Sequence, residues 1–196
     1  ANRLNGGSAV PINGRAAYYL DRGVAVVPIV GTLVNRGAYV GADSGVVSYE
    51  GIEASIMAAA DDPRRTGPIA LDIDSPGGEA TGMFALAARI RSIRDSGVRI
   101  IAVVNDMAAS AGYGIAAQAS EIWVSPTSMV GSIGVVMMHL DRSVEYDMQG
   151  IKPTFIFAGK HKVDGNSAEP LSDETRQRLS ADVEVFYQQF LDTVAA

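Results

Sequence analysis

Apolar and polar positions along this chain repeat at two periods. Apolar runs of strand length occupy 24–30, 69–73 and 100–104, and segments of helical spacing follow them at 49–60, 79–94 and 110–119. This alternation predicts βαβ units, hence an α/β fold with a largely parallel sheet and helices on its faces. The helix at 79–94 is the clearest. Met83, Leu86, Ala87, Ile90 and Ile93 recur along one face, Arg89, Arg91 and Arg94 lie off it, and Ser96-Gly97 supplies a C-cap. Farther on, 122–124 and 154–157 read as strands around a helix at 142–149. Ser172 then caps a final helix in which Asp173 and Glu174 complement the dipole. Its apolar stripe, Leu179, Val183, Phe186, Phe190 and Val194, is expected to pack on the chain's own core or on a neighbouring subunit. Residues 1–22 hold Gly, Asn and Ser without periodicity and are expected to form a flexible arm, leaving 23–196 as one domain.

Composition narrows what such a domain does. A chain of 196 residues with 47% hydrophobic content suits a single core. A net charge of −6, with no Lys/Arg cluster or basic helix face, argues against a nucleic-acid partner. The absence of cysteine excludes disulfides, thiolate catalysis and cysteine zinc sites, but leaves the redox compartment open. No apolar run approaches the roughly 18 residues that span a bilayer, and the first residues lack a signal-peptide pattern. The chain starts without methionine and its last helical pattern runs into Ala196, so it is expected to be a piece of a longer product.

The candidate chemistry centres on Ser110, in the run Ala108-Ala109-Ser110-Ala111-Gly112-Tyr113 directly after an apolar strand. A serine at a strand-to-helix junction among small residues has an accessible hydroxyl, and the N–H of Ala111 beside it is free to bind an oxyanion. Asp74-Ser75-Pro76-Gly77-Gly78 forms a second turn after the preceding strand; Pro76 fixes one φ, while Gly77 and Gly78 permit φ > 0 and aim N–H groups at the same sheet edge. Taken singly, the first serine is an ordinary N-cap and the second turn ordinary punctuation. Their position at the ends of consecutive parallel strands is what makes a site, because ligands of open α/β sheets bind there.

A nucleophilic serine needs a base. His139 follows an apolar run and His161 lies between two lysines in a loop, so neither suits a triad. Lys160 and Lys162 are the alternatives, since a lysine acts as a base when burial or neighbouring cations favour the neutral amine, an effect that a nearby Asp164 would oppose. Surface solvation is the commoner fate of lysine. Ser132, in Val130-Gly131-Ser132-Ile133-Gly134, is either a turn residue or the hydroxyl that orients the lysine amine.

In combination, Asp74 to Gly78, Ala109 to Tyr113, Gly131 to Gly134, Lys162 with Asp164-Gly165, and Leu171-Ser172-Asp173-Glu174 resemble the signal peptide peptidase A family of serine–lysine peptidases. That resemblance implies a Clp/crotonase-like spiral of βαβ units with a mainly parallel sheet and a C-terminal helix. It also implies Ser110 as nucleophile, Lys162 rather than Lys160 as general base, Ser132 as the lysine's partner, and Gly77, Gly78 and Ala111 as the oxyanion region, with no cofactor or metal. Ala111 stands where the family usually has glycine, and Val163 separates Lys162 from the aspartate that usually follows it directly.

The wording of Gly31-Thr32-Leu33-Val34-Asn35-Arg36-Gly37 and of Lys162 to Asn166 is nearer the phage and prophage branch, whose members resemble head-maturation proteases acting on capsid or scaffold proteins. This implies a protein substrate, action in the host cytoplasm or procapsid, and a homo-oligomeric ring whose active sites combine residues of neighbouring subunits. Membrane association is expected only if an anchor lies outside this chain. The competing expectations are a peptidase that degrades cleaved signal peptides, a non-catalytic capsid-assembly module, and a crotonase-like acyl-CoA enzyme using Glu79 as acid/base.

Overall fold

The structure is a computed structural model that describes residues 8–12, 16–37 and 45–196. It divides into two compact units, residues 1–134 with 189–196 and residues 135–188, where the sequence suggested one domain. In the first unit the chain runs through β1 (Ser8–Ile12), β2 (Ala16–Asp21), β3 (Val24–Val30), β4 (Thr32–Val34), β5 (Val46–Ser48), α1 (Tyr49–Asp61), β6 (Ile69–Ser75), α2 (Met83–Asp95), β7 (Ile100–Ala109), α3 (Ala111–Ala116), β8 (Glu121–Val124) and β9 (Met129–Gly131). The seven-stranded sheet has the order β1-β2-β3-β6-β7-β8, with β9 also paired to β7. The contacts of β6 with β3 and β7, and of β7 with β8 and β9, are all parallel, so the α/β fold with a mainly parallel sheet is as expected.

The alternation of apolar residues in three adjacent strands builds the core. Val27, Leu71 and Ala102 lie in one row across the sheet and Ile29, Ile73 and Val104 in another, all essentially inaccessible. Ile52 and Ile56 of α1, Met83, Leu86 and Ile90 of α2, and Ile115 of α3 are buried with them, each such side chain contributing roughly 1.5–3 kcal/mol. The other face carries a thinner cluster of Val26, Ala70 and Ile101, against which Tyr19, Val24 and Val103 pack. Ser48 starts α1, its hydroxyl accepting from Gly51 N–H at 3.1 Å.

Several elements depart from the sequence pattern. The expected arm contains β1 and β2, an antiparallel pair that extends the sheet from β3; residues 1–7 and 13–15 of that arm lie outside the described residues. Tyr18 is buried and its hydroxyl donates to Asp62 at 2.6 Å, an acceptor also bound by Arg64. Those bonds, led by Arg64, hold the Asp62 carboxyl well below the usual carboxylate range. Helix α2 begins at Met83 rather than 79, because Gly82 adopts φ 94 and Glu79 N–H is taken by Leu33 O at 2.9 Å.

The second unit contains α4 (Ser143–Met148) and the first part of α5 (Asp173–Ala195). The strand expected at 154–157 has no ladder partner among the described residues, and Ile156 there is 98% exposed. Ser172 caps α5 as predicted, accepting from Thr175 N–H at 3.2 Å. The apolar stripe of α5 is half-buried at Leu179, Val183 and Phe186 and fully buried at Phe190. Leu179 and Val183 line, with Val135, Val136, Met137 and Leu171, a cavity of about 450 Å³ within the second unit.

The buried hydroxyl of Tyr18 makes a test of β2. Tyr18→Phe is expected to lower the unfolding free energy by about 1 kcal/mol, measured by urea titration. Tyr19→Phe on the same strand has no described hydroxyl partner and is expected to stay within about 0.5 kcal/mol of the parent.

Candidate active site

Strand β7 ends at Ala109, and Ser110 turns the chain into α3. Its backbone has φ 50 and ψ −124, a combination that non-glycine residues seldom adopt and that costs on the order of 1–3 kcal/mol. Three hydrogen bonds enforce it. Ser110 N–H donates to Gly131 O at 2.8 Å, and Ser110 O accepts from Tyr113 and Gly114 N–H at 2.9 and 3.0 Å. A sharp, strained strand-to-helix turn of this kind lifts a serine hydroxyl away from both elements. Ala111, one residue on, is buried, and its N–H belongs to the first turn of α3, where no helical acceptor exists.

The turn after β6 lies directly against this one. A Cβ built on Gly77 would meet Ser110 Cβ at 2.6 Å, Ala109 O at 2.9 Å and Ala111 N at 3.1 Å, and Gly77 has φ 104. Only glycine fits there. Leu33 of β4 clamps the turn on its far side, its N–H donating to Gly77 O at 2.9 Å and its C=O accepting from Glu79 N–H at 2.9 Å. Because the peptide is trans and planar, Gly78 N–H points opposite to Gly77 C=O, away from β4. Gly77 N–H is instead turned inward to Ser75 Oγ at 3.1 Å, and that hydroxyl donates to Gly31 O at 2.7 Å. Ser75 is fully buried. Sequence reading gave it no role, although a serine two residues before a glycine signals a side-chain-to-backbone turn.

Ser132 follows β9, which pairs in parallel with the end of β7 so that Gly131 sits opposite Ala109. Ser132 is therefore the residue that follows the end of this ladder as Ser110 does on β7, and it has φ 56 between Gly131 and Ile133. The first unit thus gathers Ser110, Gly77, Gly78, Ala111 and Ser132 at one sheet edge. Glu79 is engaged elsewhere, its Oε2 accepting from Asn35 N–H at 2.6 Å.

Lys160 and Lys162 belong to the second unit, in the turn following Gly159. Lys160 Nζ is paired with Glu174 Oε1 at 3.0 Å. Lys162 is exposed and its amine forms no described hydrogen bond or ion pair, while its N–H donates to Gly159 O at 3.1 Å. Asp164, which would oppose a neutral lysine, is occupied by Arg178 of α5 and by His161 Nδ1 at 2.8 Å. Arg178 first and His161 second hold its carboxyl below the usual range. His139 donates from Nε2 to Asn166 O at 2.9 Å. Arg178 carried no signal in the sequence, because its pairing needs the turn to fold back on α5.

The description "Peptidase family S49" matches residues 92–196. The chain is 39% identical over 196 residues to the Capsid assembly protease C of Escherichia phage lambda, covering 98% of this chain and 43% of that protein. It is 39% identical over 178 residues to the Head-tail preconnector protein GP5 of Enterobacteria phage P21, covering 91% of this chain and 35% of that one. Protease 4 of Salmonella typhi is 31% identical over 136 residues, 65% of this chain and 20% of its own length. The chain therefore spans less than half the length of these relatives. A solved enoyl-CoA hydratase from Mycobacterium avium subsp. paratuberculosis K-10 aligns with a TM-score of 0.41 and 20% identity, over 66% of this chain and 48% of that chain.

Two substitutions separate backbone strain from close approach. Gly97 has φ 99 and open space around it, whereas Gly77 adds the contact with Ser110. Gly97→Ala is expected to cost about 1–2 kcal/mol and Gly77→Ala about 3 kcal/mol or more, measured by urea unfolding; equal losses would contradict the contact. In the second unit, the folded Asp164 carboxyl titrates below its unfolded value of about 3.9, so its stabilisation is present above that pH and fades as pH falls through the lower folded value. Asp164→Asn is accordingly expected to lower the urea midpoint at pH 7, and the gap from the parent should close under strong acid.

Proposed function

This chain belongs to peptidase family S49, and from that premise we propose that it is a serine endopeptidase in which Ser110 is the nucleophile and Lys162 the general base. The observation that carries the reading is the strained Ser110 backbone, locked by Gly131 and pressed against Gly77. Strain of this kind persists where the surroundings enforce it, and it clusters at catalytic residues. The Lys162 amine, which has no partner among the described residues, beside a Lys160 already committed to Glu174, supports the choice of base.

In the proposed reaction, the neutral Lys162 amine takes the Ser110 hydroxyl proton as Oγ attacks the scissile carbonyl carbon. The oxyanion receives the N–H groups of Gly78 and Ala111, with Gly77 as the residue whose missing side chain lets the two turns meet. Lys162 then protonates the leaving amine as the C–N bond breaks, giving an ester on Ser110. Water, deprotonated by the same lysine, releases the new carboxylate and restores the serine. Ser132 orients the lysine amine by hydrogen bonding.

The phage relatives support capsid or scaffold proteins of an assembling particle as the substrate class, and host cytoplasm or procapsid as the place of action. Among the described residues no helix is long and apolar enough to cross a membrane. Bare apolar side chains, Trp123 54% and Ile156 98% exposed among them, support assembly into a homo-oligomer, and we extend this to a ring with active sites shared between subunits. The commitment of Glu79 to Asn35 weighs against acyl-CoA chemistry at that residue.

Intact-mass spectrometry after treatment with a fluorophosphonate probe tests the dyad. One adduct is expected on the parent and on Lys160→Ala, and none on Ser110→Ala or Lys162→Ala. Labelling that persists in Ser110→Ala would remove the nucleophile from this reading.

A further inference from the structure

Of the groups at this sheet edge, the buried hydroxyl of Ser75 has no part in the reaction as written. It nevertheless sits where three pieces of the site join. Its Oγ donates to Gly31 O at the end of β3 and accepts from Gly77 N–H. The direction of both bonds is fixed, since a carbonyl only accepts and an amide N–H only donates. A Cβ built on Gly112 of α3 would meet Ser75 Cβ and Ser75 O, each at 3.2 Å, so the helix that starts at the nucleophile rests on the same residue. A register shift between β6 and β7 at Ile73–Ser75 brings Ser75 opposite Ala108, two residues before Ser110.

We infer that Ser75 is a positioning residue that selects which backbone N–H serves the oxyanion, an inference that rests on the peptidase reading above. By binding Gly77 N–H it turns the peptide between Pro76 and Gly77 inward. Leu33 fixes the next peptide through Gly77 O, which leaves Gly78 N–H facing away from β4 and without an acceptor among the described residues. Without the hydroxyl, the buried Gly77 N–H and the half-buried Gly31 O both face a side chain that cannot bond them. The turn then relieves itself by rotating the 76–77 peptide, which also moves Gly78 N–H. Ser75 acts through Gly77 and touches no reacting atom.

Phosphonylation by a fluorophosphonate tests this. Ser110 Oγ attacks phosphorus, the P–F bond breaks, fluoride leaves, and the serine proton goes to the base, while negative charge builds on the phosphoryl oxygen as it would on a peptide carbonyl. For Ser75→Ala, the limiting labelling rate is expected to fall about 10²-fold, with the half-saturating probe concentration unchanged, when rates are referred to folded protein by circular dichroism. Ser75→Thr, which keeps the hydroxyl, is expected to restore the rate. If Ser75→Ala fails to fold, Ser75→Cys provides the same comparison, because a thiol is too weak and long a bonding partner to hold Gly77 in place.

A parental limiting rate in folded Ser75→Ala or Ser75→Cys would overturn the positioning role while leaving Ser110 as nucleophile. A parent that does not label at all would overturn both. A loss of folded protein with a normal rate in the folded fraction would assign Ser75 to stability alone and equally overturn the inference.

Discussion

The close approach of Gly77 to Ser110 is the constraint on which the site depends. Parallel pairing of β6 with β7 delivers their C-terminal turns to the same edge, and the register shift before Ser75 draws those turns into contact. A single methyl group at position 77 would be 2.6 Å from the serine Cβ. Ala109, Ala111 and Gly112 on one side and Gly78 on the other keep side-chain bulk away from the contact. The packing leaves two backbone N–H groups and a hydroxyl close together without large side chains, an arrangement suited to holding charge that develops on a substrate oxygen.

Strain and hydrogen bonding reinforce one another at this edge. Ser110 keeps its unfavourable dihedrals because β9 binds its N–H and α3 binds its C=O. Leu33 holds both sides of Gly78, and Ser75 holds Gly77 from beneath. Backbone groups preorganised in this way cost nothing further when the reaction occurs, unlike water, which must reorient. The proposed base comes from the second unit, the Lys162 amine, which has no ion pair among the described residues and stands in a turn tied to α5 through Asp164 and Arg178.

Local pattern carried much of this. The β–α alternation, the face of α2 and the Ser172 cap follow from hydrophobic period and capping chemistry over a few residues, and the structure contains them. The two glycine–serine turns were legible because consecutive parallel strands must end at one edge. What was hidden depends on long-range partners. The strands β1 and β2 looked like a loose arm because they are held by pairing, β1 with β2 and β2 with β3, and by the Tyr18–Asp62 bond, not by their own composition. The run at 154–157 has strand propensity but no ladder to join among the described residues. Ser75 lay inside the Asp74 to Gly78 motif, yet its role depends on the carbonyl of Gly31, between β3 and β4, which its hydroxyl meets at 2.7 Å.

The most direct measurement is a crystal structure of the chain with a peptide boronic acid bound. The account predicts a tetrahedral boron on Ser110 Oγ, with one boronate oxygen about 2.7–3.1 Å from both Gly78 N and Ala111 N and Gly77 N–H still bonded to Ser75. Boron attached to another residue, or its oxygen turned away from those two N–H groups, would contradict it.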